Sequence, residues 1–215
     1  MRVVIAGGHG KIALILERLL AQRGDSVAGI IRNPGQSADL EAAGAEAIVV
    51  DLENASVDDV AAHLRGADAV VFAAGAGPGS GAARKQTVDR GAAILLADAA
   101  QRAGVERYVM VSAMAAHPKA TADDPVFEAY LRAKGVADEA IRARDLSWTI
   151  VRPGRLTDDA GTGRVHIAES TGRGAIPRED VARVLVAVVD EPGTRGTTFE
   201  LISGETPVTE ALGAL

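Results

Sequence analysis

Short apolar runs alternate with longer amphipathic segments along most of the chain. Six of these runs have the length and unbroken apolar character of strands that are buried on both faces. They lie at residues 2–6, 26–31, 47–50, 69–73, 107–111 and 147–151. The segments between them predict helices at residues 11–23, 36–43, 57–64, 85–103 and 126–144. This alternation predicts an α/β fold in which helices cover both faces of a doubly wound parallel sheet.

The pattern is weaker in the last part of the chain. A strand is predicted at residues 164–168, a helix at 177–190 and another strand at 198–202. Neither a linker nor an internal repeat separates this part from the rest. The sequence therefore predicts a single Rossmann-type domain over residues 1–215, to which residues 153–215 add a small cap on the substrate side.

Composition narrows the range of functions. The chain has no cysteine, which excludes disulfides, thiol nucleophiles and cysteine-ligated metal sites, and its 4 histidines show no metal-binding spacing. A net charge of −6 and an aromatic content of 3% argue against a nucleic-acid partner. No apolar run is long enough to span a membrane, and we expect no signal peptide, because the first apolar run breaks at Gly7 and is too short for one. We expect a cytoplasmic protein without a membrane partner, and the sequence leaves open whether it is a monomer or a dimer.

A glycine-rich turn follows the first predicted strand and leads directly into the first predicted helix. It has the form G-x-x-G-x-x-A and ends at Ala13. Glycines allow the backbone to approach a pyrophosphate, and the free N–H groups and dipole of a helix N-terminus stabilise its charge. We therefore expect this turn to hold a dinucleotide through Gly7, Gly8, His9, Gly10, Lys11 and Ile12. The alternatives are a plain tight turn and, for His9, a side chain that faces only solvent.

Arg32 bears on the choice between the two nicotinamide dinucleotides. It ends the second predicted strand, 19 residues after Ala13. NAD-binding proteins commonly place an acidic residue near this point to bind the ribose 2′-OH, whereas a guanidinium can pair with a 2′-phosphate. The sequence therefore predicts NADP, and the alternative is that Arg32 is a solvated residue at a helix start.

Two further segments are expected to surround the cofactor. Asp51, with Leu52 beside it, follows the third predicted strand, where its side chain either reaches the adenine or caps the next turn. Ala73, Ala74 and Gly75 lie where the fourth predicted strand gives way to a glycine-rich loop at residues 74–83. These three are expected to line the other side of the cofactor, unless the glycines of the loop serve only to turn the chain.

Candidate catalytic residues lie on the last long predicted helix, which Asp124 and Pro125 are expected to begin. Tyr130 and Lys134 form a Y-x-x-x-K pair whose side chains share one helical face. A nearby ammonium lowers the pKa of a phenol, which would let Tyr130 give a proton to a carbonyl oxygen as hydride arrives. Lys134 is also expected to hold the ribose of the nicotinamide, and Ser112 to hydrogen-bond the same carbonyl oxygen. The alternative is a surface tyrosine that packs on the methylenes of Lys134.

With these motifs the chain resembles the short-chain dehydrogenase/reductase superfamily, in particular its atypical NAD(P)H-binding members of the NmrA-like and epimerase-like types. Besides the glycine turn, the resemblance rests on residues 103–112 (AGVERYVMVS) and 149–154 (TIVRPG). It implies a catalytic triad of Ser112, Tyr130 and Lys134, and it implies that Pro153 and Gly154 lie beside the nicotinamide. Only 61 residues follow residue 154, fewer than the substrate domain of extended epimerases requires.

These observations lead to one main hypothesis and several alternatives. The main hypothesis is an NADP-dependent oxidoreductase that transfers hydride between NADPH and a small carbonyl, quinone or similar acceptor. A protein that senses NADP(H) without turnover would keep the cofactor site and act through a protein partner. A flavin- or biliverdin-type reductase would transfer hydride without Tyr130, and a sugar epimerase would use bound cofactor.

Overall fold

The computed structural model describes residues 1–77 and 79–215. Pro78, in the predicted glycine-rich loop, lies outside the described residues. Strands within the described part are β1 (Arg2–Ala6), β2 (Ser26–Ile31), β3 (Glu46–Val49), β4 (Ala69–Phe72), β5 (Arg107–Val111), β6 (Ser147–Pro153), β7 (Arg155–Thr157), β8 (Arg164–Ala168), β9 (Ala175–Pro177), β10 (Thr197–Ser203) and β11 (Thr206–Pro207).

The helices are α1 (Lys11–Arg23), α2 (Ser37–Ala42), α3 (Val57–Leu64), α4 (Ala82–Arg84), α5 (Ala93–Ala103), α6 (Pro125–Arg142), α7 (Arg178–Asp190) and α8 (Val208–Leu212). Wider π-helical turns over Lys85–Ala92 join α4 to α5. Short 3-10 turns occupy Pro34–Gln36 and Pro192–Thr194. Within residues 1–77 and 79–215, no helix combines the length and the apolar content needed to cross a membrane.

The main sheet has the strand order β11-β8-β10-β6-β5-β4-β1-β2-β3. The strands from β3 through β10 in this order are parallel, and β8 pairs with β10 in the antiparallel sense. Because side chains alternate across a strand, β1 contributes Val3 and Ile5 to one core and Val4 and Ala6 to the other. Helices α1 and α7 cover the first face, while α3, α5 and α6 cover the second. The predicted doubly wound α/β fold is confirmed.

The C-terminal part, which was predicted as a cap, also contributes strands to the main sheet. Strand β10 extends the parallel sheet beside β6, and β7 and β9 form a separate two-stranded sheet. The predicted strand at residues 164–168 is β8, while the short strands β7, β9 and β11 were not predicted because they contain only 2 or 3 residues each. Strand β6 also runs on to Pro153, two residues beyond its predicted end.

Two helix termini follow from side-chain and backbone chemistry. Asp124 accepts hydrogen bonds from the backbone N–H groups of Val126 and Phe127 at 2.7 and 2.9 Å, and Pro125 occupies the first helical position. The predicted start of α6 is thereby confirmed. Helix α1 ends at Gly24, whose φ of 95° is the left-handed conformation that glycine adopts without strain.

The predicted helix at residues 85–103 is not a uniform α-helix. Its first half adopts the π-helical turns, in which Lys85 and Asp89 are both buried. Sequence periodicity assumes 3.6 residues per turn, so it does not reveal wider turns. Both charged side chains face α6, where the Lys85 ammonium lies 5.4 Å from the centroid of the Tyr130 ring and Asp89 Oδ1 lies 3.7 Å from the Lys134 ammonium.

A buried carboxyl lies beneath the glycine turn. Glu17 of α1 is fully buried, and neither of its carboxyl oxygens has a hydrogen-bond partner among the described residues. A Cβ atom added at Gly29 would lie only 2.4 Å from Glu17 Oε1, so this glycine leaves the space that the carboxyl fills. Burial raises the pKa of Glu17 to about 8.

We expect Glu17→Gln to make stability less dependent on pH. The carboxyl stays protonated in the folded chain up to about pH 8 but has its usual pKa of 4.5 when unfolded, so folding loses stability as pH rises between these values. The free energy of unfolding of the variant, measured relative to that of the wild type, should therefore increase by about 2–4 kcal/mol as the pH rises from 4.5 to about 8. Urea unfolding at several pH values measures it. Glu41→Gln, the same change at an exposed site, is the control, and parallel stability curves for wild type and Glu17→Gln would contradict the prediction.

Candidate functional site

Two adjoining depressions lie at the carboxyl ends of the parallel strands. The narrow pocket has a volume of about 360 Å³ and is bounded by the glycine turn, the ends of β2 and β3, and the loop after β4. The wide cleft has a volume of about 1370 Å³ and is bounded by the start of α1, the loops after β4 and β5, the face of α6, and the β7 and β9 strands. Gly10, Ala73, Ala74 and Gly75 line both, so the two depressions form one continuous groove. Ligands of open α/β sheets bind at such an edge.

The glycine turn has the geometry of an anion site. Gly7 has a φ of +82°, and a Cβ atom there would lie 2.6 Å from the backbone Cα of Ala74, so only glycine fits. The N–H groups of Gly7 and Gly8 donate to the Ile30 carbonyl, and that of Gly10 donates to the Gly7 carbonyl. Gly10 is the N-cap of α1, and no described side chain caps the helix there. The free N–H groups of the first turn therefore suit a pyrophosphate, and the residues present fit a dinucleotide.

Gly8 and His9 of the glycine turn contact neighbouring elements of the fold. Gly8 lines neither depression; a Cβ atom there would lie 2.8 Å from the Cα of Gly29, so the residue permits close packing of the turn on β2. The His9 ring lies 2.7 Å from an Asp39 carboxyl oxygen and 2.9 Å from the Gln36 amide. His9 therefore lines the narrow pocket while tying the turn to α2, and it does not face only solvent.

Arg32 lies at the rim of the narrow pocket with 54% of its side chain exposed. Its guanidinium donates to Glu53 Oε2 at 3.0 Å. Glu53 also accepts from Thr87 at 2.6 Å and from Arg84, and these contacts, led by the Thr87 hydrogen bond, hold its pKa below the usual range. Arg32 and Arg84 thus place two guanidinium groups around one neutralising carboxylate. Sequence reasoning missed Glu53, Arg84 and Thr87, because this contact joins residues that are 21 to 34 positions apart.

Asp51 caps a turn in the structure. One of its carboxyl oxygens accepts from the Glu53 N–H at 3.1 Å and the other from the Asn54 amide at 2.7 Å. Asp51 and Leu52 both line the narrow pocket. The capping alternative is therefore observed, and the predicted contact of Asp51 with adenine stays a prediction.

Lys134 is buried on the inner side of the wide cleft. Its ammonium donates to the backbone carbonyls of Val111 at 3.0 Å and Ala74 at 3.4 Å, and it lies 3.7 Å from Asp89 Oδ1. Burial lowers the pKa of Lys134, and the negative charges of Asp89 and Asp138 partly oppose this effect. The ammonium thus links the loop after β4 to the end of β5.

Tyr130 lines the same cleft but does not have the lowered pKa that the Y-x-x-x-K spacing suggested. Burial raises its pKa, and the charges of Asp89 and Asp138 raise it further. The lowering expected from Lys134 is therefore contradicted, and the Lys134 ammonium is itself bound to carbonyls and lies 3.7 Å from Asp89 Oδ1. The ring of Tyr130 stacks on Phe127, with centroids 6.0 Å apart, and the Lys85 ammonium lies 5.4 Å from the ring centroid.

Ser112 lies at the end of β5 and is nearly fully buried, with its hydroxyl close to the carboxyl of Asp138. The nearby Asp138 is fully buried; burial raises its pKa, while Ser112 and Arg152 partly offset the rise. Arg152 contacts Asp138 Oδ2 at 2.7 Å. Sequence reasoning missed Asp138, although it follows Lys134 by four positions and so continues the face of Tyr130 and Lys134.

The end of β6 completes the cleft. Pro153 and Gly154 line it, and the Pro153 carbonyl accepts from the N–H of Met114 at 3.3 Å. A Cβ atom at Gly154 would lie 2.5 Å from the Gly174 carbonyl oxygen, so the chain passes close to the start of β9. Lys11 and Ile12 line the opposite side, at the beginning of α1. No cluster of three or more metal-ligating side chains occurs in residues 1–77 and 79–215.

A profile of the NAD(P)H-binding family matches residues 7–192. The chain belongs to this family. The match begins at Gly7 and includes the walls of both depressions up to α7, so the family's nicotinamide cofactor agrees with the groove described above.

Proteins that are similar to this chain match it over all or nearly all of its length. A Bacillus subtilis protein named as an uncharacterized sugar epimerase is 39% identical over an alignment of 216 positions, which covers 100% of both chains. A solved structure from Bacillus halodurans, assigned by name only as an NAD-dependent epimerase/dehydratase, is 35% identical with a TM-score of 0.92 and 100% coverage of both chains. The structure of an anaerobillin reductase from Escherichia coli O157:H7 is 22% identical with a TM-score of 0.80, and the match covers 94% of this chain and 97% of the reductase. At this identity the likeness shows only that the two proteins share a fold.

Proposed function

We propose that the protein is an NADP-dependent oxidoreductase that reduces a carbonyl, quinone or similar acceptor in the wide cleft. The observation that carries this proposal is that Ser112, Tyr130 and Lys134 line the same cleft as Gly10 and Lys11 of the glycine turn. A proton donor and a nicotinamide site would then open into one space. Membership of an NAD(P)H-binding family supports the cofactor half of the proposal.

The groove has a residue for each part of the cofactor. The free N–H groups of the α1 N-terminus, among them those of Lys11 and Ile12, would hold the pyrophosphate against the backbone of Gly7 and Gly10, and Arg32 would pair with the 2′-phosphate. The adenine would lie near Leu52, with Ala73, Ala74 and Gly75 along the other side. The nicotinamide riboside would contact Lys134, Pro153 and Gly154. When bound, the reduced nicotinamide supplies hydride to the acceptor carbon.

Tyr130 would deliver the proton from its hydroxyl to the acceptor oxygen. Its raised pKa keeps the phenol protonated through the neutral range, which is the state a donor requires. The Ser112 hydroxyl, which also lines the cleft, would donate a hydrogen bond to the same oxygen. The hydride adds to the carbon, the proton adds to the oxygen, and the phenolate regains a proton from solvent, so an alcohol and the oxidised cofactor are the products.

Arg32→Gln is expected to remove the preference for NADPH. A guanidinium–phosphate pair is lost, while the NAD moiety keeps its contacts, so NADPH affinity should fall at least about tenfold and NADH affinity should change less than about threefold. Calorimetric titration with both reduced cofactors measures this. Arg65→Gln, at an exposed arginine outside both depressions, is the matched control. An unchanged preference in Arg32→Gln, or NADH preferred by the wild type, would contradict the assignment of NADP.

A panel of acceptors tests the activity. Aldehydes, ketones, quinones, flavins and nucleotide sugars are each incubated with NADPH, and the loss of NADPH absorbance is followed. The proposal expects steady consumption with at least one carbonyl or quinone. Tight NADPH binding without consumption across the panel would instead support a sensor. Interconversion of a nucleotide sugar without net consumption would support an epimerase, as the name of the Bacillus subtilis relative suggests.

A further inference from the structure

The wide cleft is positively charged although the chain as a whole carries −6. Among its described lining residues there are six cationic side chains and two acidic ones. The cationic residues are Lys11, Lys85, Lys134, Arg155, Arg173 and Arg178, and the acidic ones are Asp89 and Asp124. A concave surface of this kind concentrates anions.

Most of these cations already have partners. Lys134 lies near Asp89, Lys85 donates to the Gly77 carbonyl at 3.0 Å, and Lys11 and Arg178 share the carboxylate of Asp158 at 2.6 and 2.5 Å. The guanidinium groups of Arg155 and Arg173 form neither a hydrogen bond nor an ion pair with any residue in 1–77 or 79–215. These two arginines are therefore the cations of the cleft that a ligand can engage.

The backbone that carries Arg155 and Arg173 is fixed by close packing. Arg155 begins β7, and its N–H donates to the carbonyl of Gly174, the residue after Arg173, at 2.9 Å. A Cβ atom at Gly154 would lie 2.5 Å from that carbonyl oxygen, and one at Gly174 would lie 2.7 Å from Ile202. The backbone at both arginines is therefore held in place, and both line the wide cleft, whereas Arg32 lines only the narrow pocket.

The wall formed by α6 is apolar and accessible. Phe127 is 51% exposed and stacks on Tyr130, and Val126 is 40% exposed. Both line the wide cleft, and they are two of the five large apolar residues exposed in the described part of the chain. An aromatic surface of this kind stacks against a flat ring system.

The volume of the cleft leaves space for a large ligand. At about 1370 Å³ it exceeds the roughly 300–1,000 Å³ of ordinary ligand pockets. A nicotinamide riboside and a small carbonyl compound together would not fill it.

We propose that the acceptor has a planar aromatic body and a carboxylate. The ring would lie along Phe127 and Tyr130, and the carboxylate would accept hydrogen bonds from the guanidinium forks of Arg155 and Arg173. This inference rests on the proposed function because it names the substrate class of the same site. It makes Arg155 and Arg173 residues of substrate specificity, not of cofactor binding.

The test measures ligand binding to the protein saturated with NADPH, without turnover. The probes are 2-naphthoate and its neutral analogue 2-naphthamide, titrated by calorimetry. In wild-type protein the naphthoate should bind at least about tenfold more tightly. In Arg155→Gln/Arg173→Gln this preference should fall below about threefold, and Arg65→Gln should keep it.

Three results would overturn the inference. Equal or undetectable binding of both probes to the NADPH complex would show that the cleft does not recognise the carboxylate. A preference that persists in the double variant would show that other groups provide it. Weakened NADPH binding in the double variant would assign the arginines to the cofactor. Failure of NADPH itself to bind the wild type would overturn the proposed function, and this is seen separately in the first titration.

Discussion

Tyr130→Phe is expected to lower the rate of acceptor reduction by about 10²–10⁴-fold while NADPH affinity changes less than about threefold. The variant keeps the ring that stacks on Phe127 and removes only the hydroxyl that would give its proton to the acceptor oxygen. Turnover is measured with the best acceptor of the panel, and NADPH affinity by calorimetry. Because burial raises the pKa of Tyr130, the wild-type rate should show no loss from phenol ionisation at neutral pH.

Tyr108→Phe provides the matched control for this experiment. Tyr108 is the other of the 2 tyrosines, is fully buried, and donates its hydroxyl to the Ala93 carbonyl at 2.9 Å outside the cleft. Removal of the Tyr108 hydroxyl should lower the free energy of unfolding by about 1 kcal/mol and leave turnover unchanged. Full turnover in Tyr130→Phe would refute the tyrosine mechanism and favour hydride transfer of the flavin- or biliverdin-reductase type.

Gly7→Ala is expected to weaken NADPH binding at least about tenfold and to lower the free energy of unfolding by about 2–4 kcal/mol. The added Cβ would meet the backbone of Ala74 at 2.6 Å, and the positive φ would be strained. To relieve this contact, the glycine turn and the loop after β4 must move apart. These two segments form walls of the groove. Calorimetric titration and urea unfolding measure the two effects.

Gly24→Ala separates backbone strain from damage to the groove. Gly24 has a φ of +95°, and a Cβ atom there would have no neighbour within 4 Å. This variant should lose about 1 kcal/mol of stability and bind NADPH like the wild type. If Gly7→Ala also bound NADPH like the wild type, the groove would not depend on the approach of the two walls.

Local sequence signals were enough to predict the framework of the fold. The ends of β1, α1 and β5 follow from apolar runs and a terminal glycine, which act within a few residues. The π-helical turns before α5 were not predicted, because their wide turns do not follow ordinary helical periodicity. The buried position of Glu17 was also missed, since the space for its carboxyl depends on Gly29 in a different strand.

The candidate site was predictable only in part. The glycine turn and the Y-x-x-x-K pair are local patterns, and the structure brings Gly10, Tyr130 and Lys134 to one cleft. The protonation behaviour of Tyr130 was not predictable from the spacing, because burial and the distant Asp89 determine it. The cationic side of the wide cleft at Arg155 was likewise not predictable from the sequence, because it forms only when β7 pairs with β9.

A crystal structure grown with NADP⁺ tests the central claim most directly. The account predicts electron density along the groove, with the pyrophosphate at the N-terminus of α1, the 2′-phosphate at Arg32 and the nicotinamide beside Tyr130 and Lys134. A groove that stays without nucleotide at saturating NADP⁺, or a nucleotide bound elsewhere on the protein, would contradict it.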